Sequence, residues 1–344
     1  MSFFKLSIAA LAASATAYEL VEQHIGPTFF DGFDFFEGTN DPTHGSVNYT
    51  SRLVAAPSKM IGVVINNDGS APSAYIGVDS TTITAHRPSV RLTGKTSYSS
   101  HVLVIADIKH MPSGCGVWPA LWMVGPNWPS SGEIDIVEQV NGHDYNTATL
   151  HTSSNCAITG NISSGHSDLF SGTLMTPDCD VNSPSQSKNA GCSIRASSNE
   201  TYTVGNESCV HSTAGNTFNS QGGGVYAMLW TSTGVSIYFF PRDYIPNDIK
   251  ANTPDPSTWT STPQAVFSGN GCNWDSHLKD LQLVINTDFC GDWAGNSWES
   301  DGCATQTRVA TCAGYVQNNP KAFETAYWLF NSISIFSNET VTEN

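Results

Sequence analysis

The run Gly132–Gln139 places three carboxylates among β-branched residues, with Glu133, Asp135 and Glu138 as the acids. Side chains of an extended strand alternate between its two faces, so the first two acids share a face. Strict alternation would send Glu138 to the opposite, apolar face, where an unpaired carboxylate is costly. We therefore predict a β-bulge at Ile136–Val137, which returns Glu138 to the face of the other acids.

Acids held on one face repel one another, and this repulsion raises the pKa of at least one of them. A protonated carboxyl beside an ionised one is the pair that cleavage of a glycosidic bond needs, one as proton donor and one as nucleophile. The spacing E-x-D-x-x-E is short, however, and an ordinary solvent-facing strand can carry it by chance. The flanking residues must decide between the two interpretations.

The flanking residues favour the catalytic interpretation, because three indoles precede the acids, at Trp118, Trp122 and Trp128. Sugar rings have apolar faces that stack on aromatic side chains, and small-molecule sites combine such rings with a few polar groups. The sequence therefore predicts a polysaccharide cleft in which these three tryptophans contact the substrate.

Two runs, Pro112–Trp122 and Gly132–Glu138, resemble glycoside hydrolase family 16, and within it the fungal endo-1,3(4)-β-glucanases, or laminarinases. The likeness continues through four further stretches, so that it covers nearly all of the chain after residue 17. These stretches are Phe29–Phe36, Arg87–Arg91, Phe289–Gly295 and Ala326–Trp328.

The resemblance implies an all-β fold, a β-jelly-roll sandwich of two antiparallel sheets with a concave substrate cleft. It also implies hydrolysis with retention of anomeric configuration, with Glu133 as nucleophile, Glu138 as acid/base and Asp135 as the residue that tunes the nucleophile. That mechanism needs no cofactor. Some relatives hold a structural calcium, but the sequence has no dense acidic ligand loop, and we predict no metal for catalysis.

Three further residues are candidate substrate contacts. Trp293 is similar to a family tryptophan that stacks on substrate, and Arg87 matches a family position that contacts sugar hydroxyls, although a lone arginine is more often a surface cation. His151 lies in an alternating run, 148–152, that we expect to pair antiparallel with the acidic strand and so to approach the acids. A lone histidine is as often structural. We leave Asn48 out of the site because it begins a glycosylation sequon.

The first residues, Met1–Ala17, have the pattern of a secretory signal peptide. Lys5 precedes a mostly apolar run, Leu6–Ala13, and the small residues Ala15–Ala17 form a cleavage site. We expect residues 18–344 to form a single catalytic domain, because β-sandwiches often exceed the usual domain length. The expected location is extracellular.

Charge and composition limit the partners. The formal net charge is −16, with only 14 Lys and Arg, so no basic patch is available for nucleic acid or anionic membranes. We expect a monomer whose partner is a β-glucan polysaccharide. Five N-x-S/T sequons would mark surface positions if they are used, at Asn48, Asn161, Asn199, Asn206 and Asn338.

The nine cysteines are typical of an oxidising compartment, and their odd number leaves one unpaired. Four lie between Cys156 and Cys209 and four between Cys272 and Cys312. We expect each group to pair internally and Cys115 to remain a buried thiol, although spacing alone fixes no connectivity.

Short runs with alternating or continuous apolar residues, separated by Gly, Asn and Ser, are typical of strands in a β-sandwich. We expect Phe29–Phe36 to be a strand with inward aromatic rings, and 155–216 to be a long loop region tied by disulfides. The other expected strands are 61–66, 73–77, 89–92, 102–106, 225–230, 235–240, 281–286 and 333–335.

Three other functions remain open at this point. A lectin on the same fold would need the tryptophans but not three aligned acids. A transglycosylase would use the same acids and differ only in whether sugar or water enters the acceptor side. A hydrolase of another polysaccharide, such as a galactan, would share the whole mechanism.

Overall fold

The structure, a computed structural model, describes residues 18–67, 69–160, 165, 167–204 and 207–338. The predicted signal peptide Met1–Ala17 therefore lies outside the described residues. The strands are, in chain order, β1 (Glu19–Ile25), β2 (Phe33–Phe35), β3 (Val47–Tyr49), β4 (Ile61–Val64), β5 (Ser73–Ile76), β6 (Arg87–Ser89), β7 (Arg91–Tyr98), β8 (Val102–His110), β9 (Val117–Val124), β10 (Glu133–Glu138), β11 (Thr147–His151), β12 (Thr173–Thr176), β13 (Cys192–Arg195), β14 (Asn199–Val204), β15 (Glu207–Ser212), β16 (Gly224–Thr231), β17 (Gly234–Pro241), β18 (Ala265–Ser268), β19 (Leu281–Phe289) and β20 (Trp328–Ser337).

Helices are short and lie between the strands. The α-helices are α1 (Arg52–Ala55), α2 (Gly215–Ser220), α3 (Asn247–Lys250), α4 (Trp274–His277), α5 (Cys303–Thr307) and α6 (Cys312–Asn318). Tighter or wider turns of helix occupy Gly26–Gly32, Arg242–Tyr244, Pro256–Thr258, Gly291–Gly295 and Pro320–Phe323. Among the described residues, no helix has both the length and the apolar character needed to cross a bilayer.

Two large antiparallel sheets form the sandwich. The front sheet has the strand order β12-β13-β11-β10-β9-β19-β7-β2. The back sheet has the order β18-β17-β16-β8-β20-β5-β4, with β1 also paired to β20. Strand β8, which contains the expected strand 102–106, lies in the interior of the back sheet between β16 and β20. The predicted jelly-roll sandwich of two antiparallel sheets is confirmed.

The core lies between the sheets and is built from alternate residues of their strands. Leu121 and Ile134 of the front sheet are fully buried in one cluster with Met228 and Ile333 of the back sheet. Burying each such side chain contributes about 1.5–3 kcal/mol. The inward positions are therefore fixed by the core, and this fixes which side chains of β10 point outward.

The segment Phe29–Phe36 differs from the predicted strand, because a 3₁₀ helix, Gly26–Gly32, precedes the short strand β2. A proline in the first turn of this helix restricts φ and removes a ladder donor, which favours a turn over a strand. The predicted inward orientation of the aromatic rings is confirmed for Phe29, Phe30 and Phe33, which are buried, but it is wrong for Phe36, which is 37% exposed.

The region 155–216 is more regular than the predicted loop. Strands β12 and β13 extend the front sheet, and β14 and β15 form a separate hairpin. These strands are rich in Ser, Thr and Asn and lie at the edge of a sheet or apart from it, so they lack the apolar alternation that a strand prediction needs.

Four disulfides tie the chain, and two of them contradict the predicted pairing. Cys179–Cys192 and Cys290–Cys312 lie within the expected groups. Cys156–Cys272 joins the two groups, and Cys115 is bonded to Cys303, 188 residues away, rather than free. The cysteines pair with neighbours in space that the strand order creates, which spacing along the chain does not record. The free cysteine is Cys209, and it is exposed.

A thiol reagent applied to the folded protein should modify one cysteine, Cys209, because the other eight are disulfide-bonded. Cys209→Ser should abolish the reaction and leave the free energy of unfolding within about 0.5 kcal/mol, as expected for an exposed side chain. Mass spectrometry of the labelled peptides checks the site. Labelling of a second cysteine in the folded Cys209→Ser protein would contradict this disulfide pattern.

Candidate active site

The register of β10 against β9 decides where the acids point. Residues directly opposite each other in an antiparallel pair share a face. Asp135 lies opposite Trp122 and Glu138 opposite Ala120, two positions further along β9. Glu133 is two residues before Asp135, with regular pairing between them. All three acids therefore lie on the outer face of the front sheet.

The predicted bulge is confirmed. The register between β10 and β9 shifts between Asp135 and Val137, so Ile136 is the extra residue. Ile136 and Val137 are each 1% exposed and belong to the core, although they are consecutive. Two inward residues in succession reset the alternation, and this brings Glu138 to the face of the other acids.

The strand begins at Gly132, whose φ is +78°. A Cβ at this position would lie 2.3 Å from the carbonyl oxygen of His277. Both the left-handed backbone and the close approach exclude a side chain, which explains why glycine precedes the first acid.

Two of the tryptophans donate hydrogen bonds to the glutamates of the site. The Trp118 indole donates from Nε1 to Glu138 Oε1 at 2.7 Å. The Trp128 side chain, which is 45% exposed, hydrogen-bonds to Glu133. An indole can only donate, so each bond favours the ionised form of the carboxylate that accepts it.

Trp122 has a different partner, because its Nε1 donates to Asn286 Oδ1 on β19 at 2.7 Å. It lies directly opposite Asp135 on the outer face and is partly exposed. The structure thus brings Trp118, Trp122 and Trp128 together around the three acids, as the sequence predicts.

His151 reaches the acids as expected. Strand β11 pairs antiparallel with β10, and His151 lies opposite Glu133. Its Nε2 is 3.3 Å from Asp135 Oδ2, while Asp135 is only 2% exposed. The outer face therefore contains three carboxyls and one imidazole in direct or near contact.

Burial dominates the electrostatics of the acids. Burial, with a smaller contribution from the charge of the neighbouring Asp135, raises the pKa of Glu133 to about 8. Burial also raises the pKa of Asp135 to about 7. The pKa of Glu138 is held well above its usual range by burial and then by the charge of Asp135. Taking carboxylates out of water disfavours the charged form, and the close acids add to that effect.

The surroundings of Glu133 and Glu138 favour different protonation states. His151, the Trp128 donor and Arg91 all lower the pKa of Glu133 and partly offset its burial. The Trp118 donor and His151 likewise lower the pKa of Glu138, but the charges of Asp135 and Glu133 both raise it. Glu133 is therefore the more readily ionised of the two glutamates, and Glu138 keeps its proton to a higher pH.

Arg87 does not lie at the site, and the prediction that it contacts sugar is wrong. Its side chain is 0% exposed and lies over the ring of Phe323, with Cζ 4.7 Å from the ring centroid. The guanidinium donates to the backbone carbonyls of Asp79, at 2.8 Å, and Val316. It ties strand β6 to the loop at Asp79 and to helix α6, which is a structural role.

The arginine at the site is Arg91, which the sequence analysis did not select. Its guanidinium carbon lies 4.9 Å from the ring centroid of Trp122 and 5.1 Å from that of Phe36. It also lowers the pKa of Glu133. The signal was its place at the start of β7, whose partner β19 brings it opposite Asn286 on the outer face.

Trp293 lies next to Trp118, at the edge of the acidic site. It belongs to the π-helical turn Gly291–Gly295, and its ring meets Trp118 edge to face, with 5.8 Å between centroids. The turn is tethered at its start by Cys290–Cys312 and by a bond from Asp292 N to Thr43 O at 2.9 Å. The turn thus connects the indole at Glu138 to the loop around Thr43.

Two carboxyls contact the hydroxyl of Thr43 in that loop. Thr43 Oγ1 lies 2.5 Å from Asp41 Oδ2 and 2.7 Å from Asp288 Oδ2, but a hydroxyl has one hydrogen to donate. One of the two carboxyls must therefore supply a proton of its own. Burial and the charge of Asp41 raise the pKa of Asp288 to about 8, so Asp288 is the protonated member at neutral pH.

Two groups of residues in the described chain have the donor atoms for a metal ion. In one, atoms of Glu133, Asp135 and His151 lie within 4.8 Å of one another. In the other, Cys156 and Cys272 are joined in a disulfide, so their thiolates are unavailable to His277 or to a metal. The prediction that catalysis needs no metal stays a prediction.

A jelly roll with acids and indoles on one outer face has the form of a glycoside hydrolase. Residues 33–336 match the family described as the XgeA-like catalytic domain of glycoside hydrolase family 16. An endo-1,3(4)-β-glucanase of Arthroderma benhamiae is 39% identical over 97% of this chain and 68% of its own length. A probable glycosidase of Schizosaccharomyces pombe is 39% identical over 94% of this chain and 70% of its own. The chain belongs to glycoside hydrolase family 16.

Other relatives are longer than this chain. A probable endo-1,3(4)-β-glucanase of Aspergillus fumigatus is 38% identical over 94% of the chain, which spans 46% of that relative. Among solved structures, an elongating family 16 β-1,3-glucosyltransferase is 38% identical, with a TM-score of 0.78 over 93% of this chain and 100% of its own. Laminarinase 16A from Phanerochaete chrysosporium, holding two β-glucans, is 34% identical, with a TM-score of 0.79 over the same shares.

Removing the partly buried acid Glu133 should stabilise the fold in a pH-dependent way. The pKa of Glu133 is about 8 when folded and about 4.3 when unfolded, so stability falls as pH rises between these values. Glu133→Gln should therefore raise the melting temperature by about 3 °C or more at pH 8 and change it little near pH 3.5. Thermal unfolding followed by circular dichroism at the two pH values measures the difference.

The control is Glu299→Gln, at an exposed glutamate away from β10. It should leave the melting temperature unchanged at both pH values. A gain for Glu133→Gln of equal size at both pH values would show that lost proton binding is not its cause.

Proposed function

We propose that this chain is a secreted, retaining endo-β-glucanase that hydrolyses β-1,3-glucan, with mixed-linkage β-1,3(4)-glucan as a further substrate. The observation that carries the proposal is the common outer face of Glu133, Asp135 and Glu138, created by the bulge on β10. A lectin would gain nothing from burying three acids together, since each one costs folding free energy. The acids therefore favour an enzyme over a binding protein.

In the first step, Glu133 attacks the anomeric carbon as the glycosidic bond breaks. Glu138 transfers its proton to the leaving oxygen, which departs as a sugar hydroxyl. Glu133 becomes the ester oxygen of a covalent glycosyl-enzyme, and Glu138 is left as a carboxylate. The raised pKa of Glu138 is what makes it a proton donor near neutral pH.

In the second step, the Glu138 carboxylate takes a proton from water, and the oxygen of that water attacks the anomeric carbon. The bond to Glu133 breaks, the sugar leaves with its original configuration, and both acids return to their starting states. Asp135 lies between the two along β10 and, with His151 at 3.3 Å, controls the charge next to the nucleophile.

The indoles and Arg91 are suited to holding the sugar. Trp118 and Trp128 are partly or well exposed and hydrogen-bonded to the acids, so their rings adjoin the point of cleavage. Trp293 extends the aromatic surface beyond Trp118. Arg91, stacked on Trp122, can donate hydrogen bonds to sugar hydroxyls, which is the role that the resemblance implied for Arg87.

We infer that the substrate is β-glucan from two relatives whose activity or bound ligand is named. The Arthroderma enzyme is an endo-1,3(4)-β-glucanase, and the Phanerochaete laminarinase holds 6-O-glucosyl-laminaritriose in its donor and acceptor sites. We extend the same substrate class to this chain. Four disulfides support an oxidising, extracellular location. We further propose that residues 18–344 are one catalytic domain that acts as a monomer.

A second candidate function is glucan transfer. The solved structure described as an elongating β-1,3-glucosyltransferase is 38% identical to this chain and covers 93% of it. Both reactions pass through the same glycosyl-enzyme and differ in whether water or a sugar hydroxyl takes the glycosyl group.

Glu138→Ala should lose activity selectively. On laminarin, whose leaving group is a hydroxyl of the next sugar and needs a proton, kcat/KM should fall by about 100-fold or more. On a dinitrophenyl laminaribioside, whose leaving group needs no proton, the glycosylation step should be nearly unchanged. Added azide should replace water and yield a β-glycosyl azide. Glu133→Ala is the control and should be inactive on both substrates; equal losses in the two variants would contradict the assignment of roles.

The first products should be β-anomers, because a double displacement retains configuration. Proton NMR of laminarin digestion, recorded before mutarotation, checks this, and an initial α-anomer would exclude the mechanism. The same digest, made at high oligosaccharide concentration, separates the two candidate functions. We expect shorter products to predominate, and predominance of elongated chains would favour transfer.

A further inference from the structure

Strand β11 lies next to β10 on the side away from β9. The pairing between β10 and β11 ends before the bulge. Residues of β10 are matched with β11 from Glu133 to Asp135, which lies opposite Thr149. If the ladder continued regularly, Glu138 would lie opposite Asn146. The bulge interrupts the ladder, so the backbone groups of β10 beyond Asp135 need other partners.

The side chain of Asn146 supplies those partners. Its Oδ1 accepts a hydrogen bond from Glu138 N at 2.8 Å, and its Nδ2 donates to Ile136 O at 2.9 Å. The two bonds bracket Val137 from one side. A carboxamide offers one acceptor and one donor in a single plane, so this amide replaces a piece of strand.

Asn146 is itself fixed in place. It is 1% exposed, its N–H donates to Thr213 Oγ1 at 3.2 Å, and its carbonyl accepts from Ala196 N at 2.8 Å. Only one orientation of the amide satisfies both Ile136 O and Glu138 N, so the bulge and the amide determine each other. Glu138 thus receives its position from Asn146 through the backbone and from Trp118 through the carboxyl.

We propose that Asn146 is a positioning residue for the proton donor: it stabilises the bulge in the form that turns Glu138 toward Glu133. This inference rests on the proposed function. Asn146 is buried beside the backbone of β10 and acts through Glu138, so its loss should impair proton transfer more than attack by Glu133. A residue that only stabilised the fold would affect both steps alike.

The test compares leaving groups in Asn146→Ala. With laminarin, kcat/KM should fall by about 10-fold or more, a milder form of the Glu138→Ala defect. With the dinitrophenyl laminaribioside, kcat/KM should stay within about 3-fold of the unsubstituted protein, because that bond breaks without a proton. The measurement is the ratio of the two losses in kcat/KM, one on each substrate. This ratio does not depend on the fraction of protein that folds.

Asn219 provides a matched control, because its amide brackets a backbone residue in the same way. Its Oδ1 accepts from Met111 N at 2.8 Å and its Nδ2 donates to Met111 O at 2.9 Å, at a place outside the acidic strand. Asn219→Ala should lower the melting temperature but change the two kcat/KM values equally or not at all. Equal losses on both substrates in Asn146→Ala would overturn the proposal.

If Asn146→Ala does not fold, Asn146→Asp serves in its place. The carboxylate can still accept from Glu138 N but has no hydrogen for Ile136 O, so half of the bridge is retained. The same selective loss on laminarin is expected, at a smaller size. A variant that folds and keeps the activity ratio of the unsubstituted protein would exclude a positioning role.

Amide hydrogen exchange separates this inference from the proposed function. The Glu138 amide should exchange faster in Asn146→Ala than in Asn219→Ala, as measured by mass spectrometry on peptides that cover Ile136–Glu138. This result needs no substrate. If the unsubstituted protein cleaves no glucan, the function is wrong while the exchange still tests the bridge; if it cleaves glucan and exchange is unchanged, the bridge is wrong.

Discussion

The alternation of side chains along a strand is the constraint on which this site depends. Glu133 and Glu138 are separated by an odd number of positions, so a regular strand would place them on opposite faces of the front sheet. Ile136 and Val137 both turn into the core, and this one irregularity reconciles an apolar interior with three acids outside. The core therefore does more than stabilise the fold. By holding two consecutive residues inward, it determines where Glu138 points.

This arrangement has a cost in stability that the surrounding residues reduce only in part. Three carboxyls with raised pKa values disfavour the charged state that the reaction requires of the nucleophile. Each glutamate has one indole donor, but the charge of Arg91 lowers that cost at Glu133, whereas the charge of Glu133 raises it at Glu138. The result is an asymmetric pair made from two identical side chains, in which the environment decides which one would act as nucleophile and which as acid. Similar asymmetry recurs wherever two carboxyls share a reaction.

The sequence predicted the parts of the site that lie on one continuous strand. Glu133, Asp135, Glu138 and the bulge follow from local alternation, and His151 follows from the neighbouring strand. Arg87 and Arg91 show where such reasoning ends, because they are only four positions apart and both flank prolines or strand starts, yet one is enclosed beneath Phe323 and the other stacks on Trp122. The disulfides of Cys115 and Cys156 were missed for the same reason: their partners are brought close by strand order. Asn146 has no local signal at all, since its role exists only once β10 is bulged.

Some residues of the site lie on strands and others on loops, and this difference is relevant to whether the enzyme hydrolyses glucan or transfers it. The acids, Arg91 and Trp122 lie on paired strands. Trp293 lies on a turn that is fixed by Cys290–Cys312 and by the hydrogen bond from Asp292 N to Thr43 O. In the proposed mechanism, the glycosyl-enzyme forms on residues of the strands in either reaction. Its fate depends on whether a sugar or a water lies beside Glu138 when that acid acts as a base, and a sugar stays there only if aromatic surfaces such as Trp118 and Trp293 hold it. Loops of this kind can change without altering the sheet, which explains how one backbone can serve enzymes that shorten glucan and enzymes that lengthen it.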